Sequence, residues 1–156
     1  MGRSTDAAMR AMAPEAGPGN LQELSIGERF TVRAFRRWVQ GAIGNPGTHG
    51  RLLWQALTEG LGEDDAREAL LALTDLIRTV QVYARRRFAY HQPCCSALTL
   101  DETAVLRLIG ACQHRRLERA RGHALWLVHA DGVGDLLEAS CTLAATLRRH
   151  RLIFRD

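Results

Sequence analysis

The chain reads YHQPCCSALTLDETAVLRLIGAC from Tyr90 to Cys112, and this stretch joins the two segments on which the predicted fold depends. Pro93 disfavours helical backbone in the residue before it and has no backbone N–H, so a helix arriving from upstream ends by about Tyr90. Thr99 and Glu102 have the spacing of a capping box, in which each side chain accepts a hydrogen bond from the other residue's backbone N–H. The stretch therefore predicts a loop around Pro93 and a helix that starts at Thr99.

Upstream of this stretch, apolar residues recur at helical spacing. The pattern predicts a helix from Phe30 to Ile43, with Arg33, Arg36 and Arg37 on its polar face. A short second helix is predicted to be capped by Thr48 and ended by Gly60 and Gly62. The longest helix is predicted to start at Glu63, to have Arg85–Arg87 in its last turn and to stop by about Tyr90. It carries two neighbouring apolar rows, which indicate a central position in the fold.

Downstream, the helix that starts at Thr99 is predicted to run to about residue 120, with Gly122 as its stop. Residues His123 to Ala130 form an apolar run that fits either a buried helix or a buried strand. We interpret the run as a helix, because a lone strand would have no neighbour with which to pair. Asp131 to Gly134 predict a turn, and Asp135 is then expected to cap the last helix.

These patterns predict an all-α protein, a single-domain helical bundle of five or six helices with a flexible N-terminal tail. The length of 156 residues suits one domain with a substantial core. Residues 1–27 contain prolines and glycines and few large apolar side chains, which predicts the flexible tail. As an alternative within this tail, Leu21, Leu24 and Ile26 form a short turn that packs against the helical domain. Residues 28–156 form the predicted helical domain.

Arginine dominates the charge of the chain. All 21 basic residues are arginines, against 17 acidic residues, and the net charge is +4. Three arginine clusters, at 85–87, 115–121 and 148–151, leave an arginine-rich nucleic-acid-binding regulator as one alternative. However, the absence of lysine is typical of a compositional bias. Two of the clusters also fall at predicted helix C-termini, where the helix dipole accounts for them.

The segment from Leu98 to Ile109 resembles the opening helix of LuxR-type helix-turn-helix regulators. This resemblance implies that a turn and a DNA-recognition helix should follow directly. Residues Gln113 to Glu118 depart from that pattern, so DNA binding is not transferred to this chain.

His91, Cys94 and Cys95 are candidate metal ligands in the Pro93 loop. Imidazole nitrogen and thiolate sulfur are preferred ligands of zinc, so zinc is the expected metal. His123 or His129 would supply a further ligand if its segment packs under the loop. The side chains of adjacent cysteines diverge and the usual Cys-x-x-Cys spacing is absent. A reactive thiol and a purely structural loop therefore stay open as alternatives.

The other two cysteines, Cys112 and Cys141, fall on predicted inner helix faces, which indicates core packing. No apolar run reaches the roughly 18 residues that a membrane span needs. The first residues lack the apolar centre of a secretory signal. These observations predict a cytoplasmic protein without a membrane partner, in which the cysteines are thiols or ligands rather than disulfides.

The sequence contains no phosphate-binding glycine loop, nucleophile elbow or zinc-protease helix, so no catalytic motif supports an enzymatic activity. We therefore predict a small non-enzymatic helical module with a regulatory role, which binds another protein or associates with itself. A predicted exposed tip at Leu152 to Phe154 and three tryptophans favour this function, because tryptophan is enriched at the centres of interfaces. A metal- or thiol-based sensor centred on His91, Cys94 and Cys95 is the alternative.

Overall fold

The computed structural model describes residues 19–156, which fold into six α-helices and one short 3-10 helix. The 3-10 helix spans Leu21–Glu23, and the α-helices are α1 Ile26–Ile43, α2 Pro46–Leu61, α3 Glu63–Tyr83, α4 Leu100–Gln113, α5 Leu117–Leu127 and α6 Ala130–Arg149. In this part of the chain there is no sheet, only two isolated bridges, Asn20 with Ala97 and Ala84 with Val128. The predicted all-α bundle of five or six helices is confirmed.

Helix α4 lies at the centre of the bundle, with 11 of its 14 residues buried. It packs against α5 and α6 and also touches α1, while α3 lies along α6 and α2 joins α1 to α3. Helix α3 was also expected to be central, but it leaves Leu71 and Val82 67% and 73% exposed. Its buried face is rich in small residues such as Ala66, Ala69 and Ala72, which allow α6 to approach closely.

The predicted capping box at the start of α4 is confirmed. The hydroxyl of Thr99 accepts a hydrogen bond from the N–H of Glu102 at 2.9 Å, and the carboxylate of Glu102 accepts one from the N–H of Thr99 at 3.0 Å. Ser25 and Glu28 form the same arrangement at 3.2 and 3.3 Å. This second box starts α1 at Ile26, upstream of the position that apolar spacing predicted.

The start of α2 also differs from the prediction. The cap is Asn45 rather than Thr48, and the Asn45 side chain accepts a hydrogen bond from the N–H of Thr48 at 3.2 Å. Pro46 occupies the first helical position, where its fixed φ angle suits a helix and its missing N–H costs nothing. At the other end Gly62 has φ 78° and stops the helix, as predicted, whereas Gly60 still lies inside it.

Some residues before 28, which were predicted to belong to the flexible tail, already pack against the helical domain. Leu21 and Leu24 are buried at 7% and 6% exposure, whereas Ile26 is 70% exposed. The N–H of Leu21 donates to the carbonyl of Ser96 at 2.8 Å, which ties the 3-10 helix to the loop before α4. Of the three apolar residues proposed for a docked turn, Leu21 and Leu24 pack against the domain and Ile26 does not. Residues 1–18 of the predicted tail lie outside the described residues.

The helix predicted to run to residue 120 is in fact two helices. Helix α4 ends at Gln113, Arg115 adopts φ 57°, and α5 begins at Leu117. Gly122, the predicted stop, lies inside α5, and the helical interpretation of the following apolar run holds up to Leu127. A tight turn and a second helix therefore do follow α4, contrary to the expectation from Gln113 to Glu118.

The predicted turn from Asp131 to Gly134 is wrong, because these residues form the first turns of α6. Asp135 lies inside that helix instead of capping it. Glycine often marks a turn, but Gly132 has a packing role here. A Cβ atom on Gly132 would lie 2.6 Å from the Cβ and Cγ atoms of Tyr83. The glycine lets the start of α6 lie directly against the end of α3.

The segment Leu152 to Phe154 is not an exposed tip. Phe154 is 2% exposed and only Ile153 reaches 40%. The N–H of Phe154 donates to the side-chain oxygen of Gln113 at 2.8 Å, and the amide nitrogen of Gln113 donates to the carbonyl of Leu152 at 2.9 Å. The hydroxyl of Ser25 donates to the carbonyl of Ile153 at 3.0 Å. The segment therefore closes over the end of α4 and the start of α1.

Among the helices within residues 19–156, none combines the length and the apolar character that a membrane crossing requires.

We predict that two glycines in the first turns of α6 respond oppositely to alanine. Gly132→Ala should lower the free energy of unfolding by about 1–3 kcal/mol, because the new methyl group overlaps Tyr83. Gly134→Ala should raise it by up to about 1 kcal/mol, because nothing lies within 4 Å of its Cβ position and alanine favours the helix. Urea denaturation measures both changes. Equal stability of the two variants would show that α6 does not contact Tyr83 in this way.

An ion-pair cluster joins the start of α3 to the end of α6. The carboxylate of Asp65 accepts from His150 Nε2 at 2.6 Å and from Arg149 at 3.1 Å, and Arg149 also reaches Glu68 at 2.8 Å. The hydrogen bond from His150 first, and then that from Arg149, lower the pKa of Asp65 below its usual value of 3.8.

This lowered pKa predicts a specific acid sensitivity. The folded state binds the Asp65 proton less readily than the unfolded state does. The stabilisation is therefore complete above the usual pKa of 3.8 and is lost as pH falls through the lower folded value. In urea denaturation below pH 4, Asp65→Asn should show a smaller loss of stability than the wild type. Asp64→Asn is the control and should keep the wild-type profile. Identical profiles for the wild type and both variants would contradict the prediction.

Candidate functional site

The connection between α3 and α4 lies against a fully buried arginine, Arg36 of α1. Its Nε donates to one carboxylate oxygen of Glu102 at 2.6 Å and its Nη2 donates to the other at 3.0 Å. The two side chains are 0% and 1% exposed. Arg36 was expected on the polar face of α1. Apolar spacing cannot reveal that this face is covered by a distant loop.

The remaining guanidinium N–H groups of Arg36 bind the loop backbone. They donate to the carbonyls of Cys95 at 2.6 Å, Ala97 at 2.7 Å and Gln92 at 3.4 Å. A guanidinium group has five N–H donors, and all five have acceptors here. Arg36 therefore positions the loop that contains the candidate metal ligands.

A second charged contact fixes the start of the same loop. One oxygen of Asp101 accepts from Arg86 at 2.5 Å and the other accepts from the N–H of Ala89 at 2.7 Å. The guanidinium carbon of Arg86 lies 3.7 Å from the ring centroid of Trp126, in cation–π contact. Trp126 is 6% exposed, so this tryptophan packs inside the protein.

The cluster Arg85–Arg87 does not end α3 as predicted, because α3 stops at Tyr83. Arg85 donates to the carbonyl of Leu125 at 2.5 Å and Arg86 donates to that of Trp126 at 3.0 Å. Both carbonyls lie in the last turn of α5, where no helical N–H is available for them. The charges thus compensate the dipole of a neighbouring helix.

The predicted metal ligands lie in this loop with different exposures. Cys94 is exposed, His91 and Cys95 are half-buried, and both cysteines are free thiols. Across residues 19–156, no three His, Cys, Asp or Glu side chains are arranged so that they could hold a metal ion. Of the suggested further ligands, His129 is exposed at the start of α6 and His123 is half-buried on α5. Zinc binding stays a prediction.

Cys112 packs against the core, as the sequence predicted, but neither Cys112 nor Cys141 is fully buried. Both are half-buried and line one open cleft, where the end of α4 meets α6. Burial is the main reason that the pKa of the Cys112 thiol is raised, and a hydrogen bond and charge interaction with Cys141 add to it. The fold therefore brings together two thiols that are far apart in the sequence.

A groove between α1 and α2 combines apolar and basic side chains. Ile26 and Leu52 are 70% and 37% exposed, and Phe30 is half-buried beside them. Arg29, Arg33 and Arg37 lie along the α1 side at every fourth position. The sequence placed Arg33 and Arg37 on the polar face of a helix predicted to begin after Arg29, and it did not identify a groove. Their regular spacing is the signal that was available.

Many arginines of the other clusters have intramolecular partners. Arg148 donates to the carbonyl of Gln113 at 2.9 Å, and Arg149 binds the acids at the start of α3. Arg116 lies 3.1 Å from Asp156. His123 lies near Arg107 and Arg119, and burial, followed by these two charges, lowers its pKa. Part of the positive charge of these clusters is therefore paired with carbonyl or carboxylate oxygens of the same protein.

Comparison of the chain with protein-family models, with curated proteins and with solved structures gave no match.

We predict that Arg36→Met destabilises the protein by about 3–5 kcal/mol, because it leaves the buried Glu102 carboxylate unpaired. It also removes the donors that bind the loop carbonyls, so Cys95 should react faster with a thiol reagent. Urea denaturation and timed alkylation measure the two effects.

Arg33→Met is the matched control for Arg36→Met. Arg33 is exposed on the same helix, so its replacement should change stability by no more than about 0.5 kcal/mol. The double variant Arg36→Met, Glu102→Met separates the two roles. We expect it to recover stability because no unpaired buried charge remains, while Cys95 stays as reactive as in Arg36→Met. If Arg36→Met matched Arg33→Met in both measurements, the central role of Arg36 would be wrong.

Proposed function

We propose that the protein is a small non-enzymatic helical module that binds another protein. Its α1–α2 groove would receive an amphipathic helix that carries acidic residues beside its apolar face. The observation that supports this proposal is the combination of exposed apolar side chains and a regular arginine row within one groove. A partner that fits must supply both apolar surface and negative charge.

The apolar part of the groove has a defined shape. The ring of Phe30 lies against Gly60 so closely that a Cβ atom there would be 2.7 Å from the ring carbon Cε2. Ile26 and Leu52 extend the apolar surface beyond this ring. The groove has a volume of about 630 Å³, which accommodates several large side chains of a partner. Burying them would supply the apolar part of the binding energy.

The charge of the groove favours an acidic partner. Arg29, Arg33 and Arg37 repeat every four residues and span about 12 Å of helix. Glu59 is the acidic residue on the α2 side. Within residues 19–156, Arg29 and Arg33 have no carboxylate partner, while Arg37 is 3.1 Å from His49 Nδ1. Acidic residues spaced four apart on a helical partner match this row, as in other grooves that bind helices.

Location in the cytoplasm is part of the same proposal. Cys94, Cys95, Cys112 and Cys141 are the four cysteines of the chain, and all are free thiols. Free thiols are typical of a reducing compartment. The surface expected at Leu152 to Phe154 does not contribute to binding, because Phe154 is buried.

The proposal is tested with two synthetic amphipathic peptides of about 18 residues, or roughly five helical turns. Both carry leucines on one face, and the flanking positions are glutamates in one peptide and lysines in the other. Fluorescence anisotropy should show binding of the glutamate peptide only. Arg33→Glu should weaken that binding about tenfold or more, a change of roughly 1.4 kcal/mol. Phe30→Ala should weaken it at low and at high salt alike.

Arg121→Glu is the control, because Arg121 is exposed on α5, away from the groove, and it should leave the affinity unchanged. Equal binding of both peptides, or an unchanged affinity of Arg33→Glu, would contradict the proposal. Binding that appears only after removal of residues 1–18 would identify that segment as the occupant instead. A dimer in light scattering that Arg33→Glu dissociates would identify a second copy of the chain. Either of these results overturns the proposed partner.

A further inference from the structure

The last turn of α4 is held in a fixed register against α6. Gln113 Nε2 donates to the carbonyl of Ala144 at 3.3 Å, and Arg148 donates to the carbonyl of Gln113 at 2.9 Å. Cys112 precedes Gln113 on α4, and Cys141 lies upstream of Ala144 on α6. These two hydrogen bonds therefore fix the end of α4, which carries Cys112, against α6, which carries Cys141.

The two thiols share an environment that small molecules can enter. Cys112 and Cys141 line the same cleft, which has a volume of about 370 Å³. The influence of Cys141 on the pKa of the Cys112 thiol agrees with the position of both thiols in this one cleft. His114, Arg115 and Arg148 line the cleft as well. Burial raises the pKa of the Cys112 thiol, so oxidation is expected to become faster as pH rises, because the thiolate is the form that reacts.

We propose that Cys112 and Cys141 form a dithiol modification site, which hydrogen peroxide oxidises to a disulfide between α4 and α6. This inference does not depend on the proposed function. The site differs from the Cys94–Cys95 loop, because it uses cysteines on two packed helices.

The reaction balances with hydrogen peroxide as the oxidant. The thiolate of one cysteine attacks the peroxide, the O–O bond breaks, and the sulfur becomes a sulfenic acid as one water leaves. The second thiol then attacks that sulfur, the S–S bond forms, and a second water leaves. Two thiols and one peroxide give one disulfide and two waters. A thiol reductant reverses the modification by exchange.

Cys94 and Cys95 are poor partners for the same reaction. Adjacent Cα atoms are about 3.8 Å apart across a trans peptide bond. Disulfides usually join Cα atoms that are roughly 4.4–6.8 Å apart. These two cysteines are nevertheless the natural comparison, because Cys94 is exposed and therefore accessible to thiol reagents.

The test exposes the folded protein to stoichiometric hydrogen peroxide, blocks the remaining thiols with iodoacetamide and digests the chain with trypsin. Cleavage after arginine places Cys112, Cys141 and the Cys94–Cys95 pair on three different peptides. We expect a cross-linked pair containing Cys112 and Cys141, lighter by two hydrogen atoms than the two separate peptides, and its loss after treatment with dithiothreitol. Phenylarsine oxide, which bridges neighbouring thiols, should protect the pair from oxidation.

Matched variants distinguish this site from unspecific oxidation. Cys112→Ser and Cys141→Ser should each abolish the cross-link, whereas the double variant Cys94→Ser, Cys95→Ser should retain it. Circular dichroism confirms that each variant is folded. The proposal is overturned if the folded wild type gives no such cross-linked peptide, or if the same yield appears in urea. In the second case the fold would not be what brings the two thiols together.

Discussion

The ion pair between Arg36 and Glu102 is the constraint on which the rest of the structure depends. Both side chains are buried, and removing two charges from water costs several kcal/mol for each ion. The arrangement is stable because Arg36 has an acceptor for every N–H group, two of them from Glu102 and three from loop carbonyls. Glu102 also completes the cap of α4. One contact thus joins α1, the α3–α4 connection and the start of the central helix.

This contact explains how an irregular connection acquires a defined path. Residues 84–99 form neither a helix nor a sheet, and long connections of this kind are uncommon in compact domains. Their backbone groups must still find partners wherever they are buried. Arg36 serves the second half of the connection, and Asp101 binds the N–H of Ala89 in the first half. Hydrogen bonds to buried side chains therefore hold the loop that contains the candidate metal ligands in one conformation.

The features that the sequence predicted are those that depend on neighbouring residues. The capping box of Thr99 and Glu102, the start of α3 at Glu63 and the stop at Gly62 each follow from residues a few positions apart. Asp131 to Gly134 show the limit of such reasoning, because the contact between Gly132 and Tyr83 overrides the local preference of glycine for turns. The buried position of Arg36 depends on a loop more than fifty residues away, and no local pattern contains that information.

The same limit applies to the candidate sites. Adjacent cysteines in a loop are visible in the sequence, whereas the approach of Cys112 to Cys141 requires the register of α4 against α6. The groove between α1 and α2 likewise depends on two helices that lie side by side. Helical spacing placed Arg33 and Arg37 on the polar face of α1. It could not show that apolar side chains from α2 lie next to these arginines.

The closure of Leu152 to Phe154 over α1 has a consequence for the order of folding. The contact of Ser25 with Ile153 and that of Glu28 with Arg155 join residues 128 and 127 positions apart. Closing loops of this length loses much chain entropy before any contact compensates for it. The local hairpins α1–α2 and α5–α6 are favoured to form earlier. During synthesis, the first turn of α1 and the end of α4 lack their cover until the segment from Leu152 onward has left the ribosome.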